Sequence, residues 1–212
     1  MTLLEFLRIT SLGWEAPPPA RNPSRRVEIG PGVTWRSCSS RKGASKPALA
    51  IVQEILRSAY APDESGRRPV PAAGALYGCS FDVVDLEMGD AMHLGATSEV
   101  VRASTWPRED VSAAFYHQIT GPAWIVVVSM DMDRYSDRYG SRGIRYALFE
   151  AGHVMQEVLR AAERLDVRTC PLGAFDDNGV AALLGSDLIE INWKPLYAVA
   201  LTCSAHNGRD SE

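Results

Sequence analysis

The chain has 212 residues, which at roughly 150 residues per domain predicts one domain with a sizeable core. Hydrophobic residues make up 46% and charged residues 23%, an ordinary balance for a soluble globular protein. The net charge of −4 leaves no basic footprint for nucleic acid, and no run approaches the roughly 20 apolar residues of a membrane span, so neither partner is expected.

The opening "MTLLEFLRIT" is apolar but short and carries Glu5 and Arg8, which fits neither a secretory signal nor an anchor. The expected compartment is therefore cytoplasmic, and the four cysteines (Cys38, Cys79, Cys170 and Cys203) are expected as reduced thiols. None of them stands at C-x-x-C spacing, so no zinc site is expected. Residues 1–35 read as an extended N-terminal segment, because 15–34 are rich in Pro, Gly and Arg. Residues 36–205 read as the folded domain and 206–212 as a tail.

In chain order, "RSCSSRKG" (36–43) gathers Arg36, Arg41 and Lys42 with Ser37, Ser39 and Ser40 just before a helix, which makes a candidate anion site. "KPALAIVQEILRSAY" (46–60) puts Leu49, Val52, Ile55 and Leu56 on one helical face, with Pro47 tolerated in the first turn. "PDESGRRPVPAAG" (62–74) is irregular. "SFDVVDLEM" (80–88) predicts a strand, "REDVSAAFYHQIT" (108–120) a helix, and "PAWIVVVSM" (122–130) a buried strand. "DMDRYSDRYGSRG" (131–143) reads as a polar loop. Ile144, Leu148, Ala151, Met155, Leu159 and Ala162 then recur at helical spacing, which predicts a long central helix. "RTCPLGAF" (168–175) reads as a strand. A short helix over 176–187 has Asp176 or Asp177 as N-cap and Gly185 as its stop, and "PLYAVALTC" (195–203) is a final strand. Strands and helices mix without βαβ spacing, so the expected class is α+β.

Glu150 and His153 stand one turn apart on the long helix. E-x-x-H occurs in bundle metal sites, but those need a second such motif, and this chain has none. The expectation is a bracing role, with His153 hydrogen-bonded and no metal. The Gly of "CPLGAF" and the small residues of "PAAGALY" (71–77) would each let backbone approach a flat ligand closely.

Taken in order, these pieces resemble the FMN-dependent nitroreductase superfamily, most closely its SagB-type branch of azoline dehydrogenases. The resemblance runs from about Arg36 to Cys203. Its most specific part is "DRYGSRGIRYALFEAGHVMQEVLRAA", similar to the branch's Y-G-x-R…R-Y-x-L-x-E-A-G-H block. It implies a mixed, mainly antiparallel sheet flanked by helices, with the long helix at a dimer interface and FMN bound there. It implies that Arg36, Ser39 and Arg41 hold the phosphate and ribityl chain. Pro71, Ala72, Ala73 and Gly74 would line one side of the flavin ring, with Leu172 and Gly173 on the other. The branch's Lys-Tyr pair falls on Arg138 and Tyr139, its Ser on Ala72, and its Pro after the Tyr on Gly78.

Arginine cannot act as a base, so Tyr139 is the candidate base and Arg138 its electrostatic helper. The implied function is an FMN-dependent dehydrogenase acting on a peptide or carrier-bound natural-product intermediate, such as azoline to azole. Two alternatives stay open: an NAD(P)H-dependent flavin reductase or nitroreductase on small molecules, and a non-catalytic flavoprotein partner subunit. The expected assembly is a homodimer or a heteromer with a related subunit.

Overall fold

The computed structural model describes residues 45–95, 98–119, 121–185 and 193–203. Six strands form one sheet: β1 (Cys79–Asp85), β2 (Asp90–Leu94), β3 (Val100–Thr105), β4 (Trp124–Asp131), β5 (Arg168–Leu172) and β6 (Trp193–Thr202). Their order is β3-β2-β1-β4-β6-β5, and every neighbouring pair is antiparallel. The class is α+β, as the missing βαβ spacing predicted.

Helices cover both faces. On one face, α1 (Leu49–Tyr60) and the long α4 (Gly143–Arg164) pack on alternate residues of β1, β4 and β6, among them Phe81, Val83, Val126, Val128 and Val199. On the other, α2 (Arg108–Ala114) and α5 (Asp177–Leu184) cover Val84, Ile125, Val127, Ala198 and Ala200. The β-branched run of β4 is thus buried from both sides, which is why it shows no polar alternation. Trp124 Nε1 donates to the Pro47 carbonyl (2.7 Å) and Lys46 pairs with Asp85 (2.5 Å), tying the entry of α1 to the sheet.

Several expectations need correction. Residues 131–143 are not a loop: Met132–Tyr139 form helix α3, followed by a 3₁₀ turn at Gly140–Arg142. The Asp131 side chain caps α3 by accepting from the Arg134 N–H (3.1 Å). Pairing stops at Asp85, short of the end expected for that strand, and β2 and β3 are strands beyond those the sequence predicts. β3 is an edge strand exposed on both faces, so it carries no apolar alternation to detect. On α4, Leu148 is exposed; the buried stripe runs instead through Ala147, Ala151, Val154, Met155 and Val158. Cys79 and Cys203 are free thiols, but Cys170 is disulfide-bonded, against the expectation of reduced thiols. Asp176 and Gly185 do bound α5 as its caps. No helix among the described residues is long and apolar enough to cross a membrane.

Candidate active site

The segment from Pro71 to Gly78 leads into β1 through a 3₁₀ turn at Ala73–Ala75. Gly74 (φ 61°), Ala75 (φ 52°) and Tyr77 (φ 50°) all sit in the left-handed region. At a non-glycine residue that conformation costs on the order of 1–3 kcal/mol and persists only where the surroundings impose it.

Helix α3 is the first of those surroundings. Arg134, Tyr135, Arg138 and Tyr139 are spaced so that two adjacent rows of the helix face one way. Arg134 Nη1 donates to the carbonyls of Leu76 (2.9 Å) and Tyr77 (3.0 Å). The Gly78 N–H donates to Tyr135 Oη (3.2 Å). Arg138 and Tyr139 reach the head of the turn. A Cβ added at Gly74 would stand 2.5 Å from Tyr139 Oη and 3.1 Å from Arg138 Nε and would have to push those side-chain ends aside, on a backbone whose positive φ already favours glycine. The structure therefore brings three of the expected site residues, Gly74, Arg138 and Tyr139, into one corner. Tyr139 packs edge-on against Tyr146, with ring centroids 4.8 Å apart.

Beneath the turn lies Glu150, 1% exposed on the inner face of α4. Tyr60 Oη donates to its Oε1 (2.8 Å) and Tyr135 Oη to its Oε2. The Cys79 N–H donates in turn to Tyr60 Oη (3.1 Å). Burial, reinforced by the charges of Cys79 and Glu150, pushes the Tyr60 phenol well above its ordinary value. Burial and the hydrogen bond to Glu150 do the same for Tyr135. Both therefore keep their protons. Burial above all also raises the Cys79 thiol, which argues against a nucleophilic role. His153 is exposed, and its side chain makes no hydrogen bond among the described residues, contrary to expectation. Among those residues no group of three His, Cys, Asp or Glu side chains could hold a metal.

Pro71 is exposed, and Ala72 and Ala73 are half-buried. Leu172 is buried in the core under α2 and α5. Gly173, just beyond β5, is exposed, with no atom within 4 Å of where a Cβ would stand, and leaves its backbone open to a flat group. Three steps across the sheet separate β5 from β1, on the order of 14 Å at about 4.8 Å per step. Gly173 and the 71–74 turn nevertheless leave the sheet at the same end. Arg36, Ser39 and Arg41 lie outside the described residues.

The nitroreductase family model matches residues 33–202, most of the chain. The chain belongs to the nitroreductase family. Membership makes it an oxidoreductase with FMN as cofactor, and the open backbone at Gly173 and the glycine-headed turn suit a flat ring. A protein of Methanocaldococcus jannaschii described as a nitroreductase is 34% identical over 156 residues, covering 69% of this chain and 79% of that one. Solved structures share the nitroreductase fold. One is the Escherichia coli microcin synthetase McbBCD complex with truncated pro-MccB17 bound (TM-score 0.65, 16% identity, 98% of this chain and 84% of that one). Another is a Desulfovibrio desulfuricans protein in complex with FMN (TM-score 0.51, 21% identity, 84% of this chain and 86% of that one). At these identities the structural likeness establishes the fold.

Sequence reasoning missed Tyr60, Arg134 and Tyr135 as organisers of this turn. A signal was present: "DRYSDRYG" repeats Arg-Tyr at four-residue spacing between an Asp cap and a Gly stop, which is a helix presenting one face.

Proposed function

We propose that the chain is an FMN-dependent dehydrogenase of the SagB type, oxidising an azoline in a peptide or carrier-bound intermediate to the azole. The observation that carries the reading is the corner where Tyr139 and Arg138 meet Gly74, so that the expected base stands against the turn expected to line the flavin.

Aromatisation removes two hydrogens from the azoline ring. One leaves as a proton from the carbon beside the ring's carbonyl substituent, the other as a hydride from the neighbouring ring carbon. Bound FMN supplies the hydride acceptor. Tyr139 is the base that takes the proton at Oη, and Arg138 supplies positive charge beside that oxygen. Tyr146 shields one edge of the Tyr139 ring. Arg36, Ser39 and Arg41 would hold the flavin phosphate and ribityl chain. The separation of Gly173 from the 71–74 turn suits a homodimer in which the ring lies at the subunit interface, meeting the turn of one protomer and Gly173 of the other.

The test is single-turnover flavin reduction by an azoline peptide. Tyr139→Phe keeps the ring and the packing but removes the proton acceptor. General-base catalysis contributes typically about 10²–10⁴-fold, and the rate should fall by that much. Reduction as fast as wild type would send the proton by another route. Reduction by NADPH but not by the azoline would replace this reading with that of a flavin reductase.

A further inference from the structure

We propose that Glu150 is a positioning residue for the flavin site: through Tyr60 and Tyr135 it fixes the backbone of Leu76–Cys79 and so sets where Gly74 stands against Tyr139. The proposal rests on the flavin reading above. Its physical core is the direction of four hydrogen bonds.

Backbone N–H groups can only donate. The Gly78 N–H uses the Tyr135 oxygen as acceptor and the Cys79 N–H uses that of Tyr60. Each phenol has one proton left to place, and both place it on Glu150, one on each carboxyl oxygen. A side chain with two acceptor oxygens and no obligatory donor is therefore required at 150. Glutamine has the same shape but would turn an NH₂ group on one phenol, leaving that phenol's proton without an acceptor. The raised Tyr60 and Tyr135 values agree with phenols that stay protonated and keep this direction.

The network converges on a segment that needs holding. Ala75 and Tyr77 are both left-handed without being glycine. Arg68 adds a further tie, with its guanidinium between the rings of Tyr60 (4.3 Å) and Tyr77 (5.1 Å) and a hydrogen bond to the Tyr60 carbonyl (2.7 Å). Helices α1, α3 and α4 each contribute one of the three side chains, Tyr60, Tyr135 and Glu150. The exposed apolar pair Leu148 and Phe149 lies just before Glu150 on α4, so that helix reaches the turn and the outer surface at once.

The experiment uses the full chain. Hydrogen exchange of the flavin-free protein reads the turn directly. Glu150→Gln should speed exchange at Gly78 and Cys79 at least tenfold and leave β4 amides unchanged. FMN titration of the same variant should show a dissociation constant raised about tenfold or more, with an altered visible circular dichroism of the bound flavin. Tyr135→Phe, which keeps the ring and removes one acceptor, should move the same readouts in the same direction, and it carries the test if Glu150→Gln does not fold. Exchange that rises equally in β4 would mean a general loss of stability and overturn the proposal. Wild-type FMN affinity and dichroism in both variants would overturn it too. A wild-type protein that binds no FMN would sink the flavin reading alone, and exchange at Gly78 and Cys79 would still decide whether Glu150 fixes the turn.

Discussion

Tyr135 decides what can stand at position 78. A Cβ added to Gly78 would lie 2.5 Å from Tyr135 Cε2, and the Gly78 N–H is already committed to the Tyr135 oxygen. Proline, the residue of the branch that the chain resembles, has no N–H to give and would meet the same ring. Gly78→Ala should therefore cost about 1–3 kcal/mol through forced displacement of a buried ring. Denaturant titration should show the midpoint falling with the slope unchanged. Gly78→Ala combined with Tyr135→Leu should lose less than the sum of the two single changes, since the clash disappears with the ring. Strict additivity in that cycle would mean the two residues do not press on one another.

At the scale of elements, α3 and α4 share the work around the turn. Nearly all of α3 is polar, and it buries only Met132 and Tyr135, which is why its composition reads as a loop. Its cap, its Arg-Tyr spacing and its glycine stop carry the helical information instead. On α4 the inner face is buried, whereas Phe149 is 57% exposed and Leu148 38% exposed. Single exposed apolar residues are ordinary, but an adjacent pair on the longest helix suits a subunit contact. If that face pairs two chains, Phe149→Arg puts a charge into the interface. An aromatic anchor there is worth about 2 kcal/mol or more, so the dimer dissociation constant should rise about thirtyfold or beyond. Light scattering should then report a mass near 23.1 kDa where the wild type gives about twice that. An unchanged mass would place the interface elsewhere.

For the whole molecule, flavin binding should appear as added stability. A ligand at a hundred times its dissociation constant stabilises by about 2.7 kcal/mol, and in a chain of this length each kcal/mol moves Tm by about 2–4 °C. FMN should therefore raise Tm by about 5–10 °C in calorimetry, increasing with concentration. Riboflavin, which lacks the phosphate, should raise it much less if Arg36 and Arg41 hold that group. No shift with FMN at any concentration would refute the cofactor.

By itself the sequence determined the elements whose patterns are set by their own neighbours. The apolar run of β4, the long periodicity of α4 and the caps of α5 are local facts and appear where they were expected. The ordered motifs around the 71–77 turn, the "FEAGH" block and "CPLGAFDD" carried the resemblance to the family. Tertiary structure decided what depends on contacts between distant residues. β3 exists because β2 offers it a ladder, not because of its own composition. Glu150 is an acceptor for two phenols, one of them 90 residues away in the chain, a role that no spacing within its own helix could reveal. Gly74 reads in sequence as part of a small-residue turn that lets a flat ligand approach, and only the fold shows that Tyr139 fills the space where a side chain would go. Local pattern records which surface a segment buries, but a hydrogen bond between elements has no period and becomes visible only when the sheet brings its partners together.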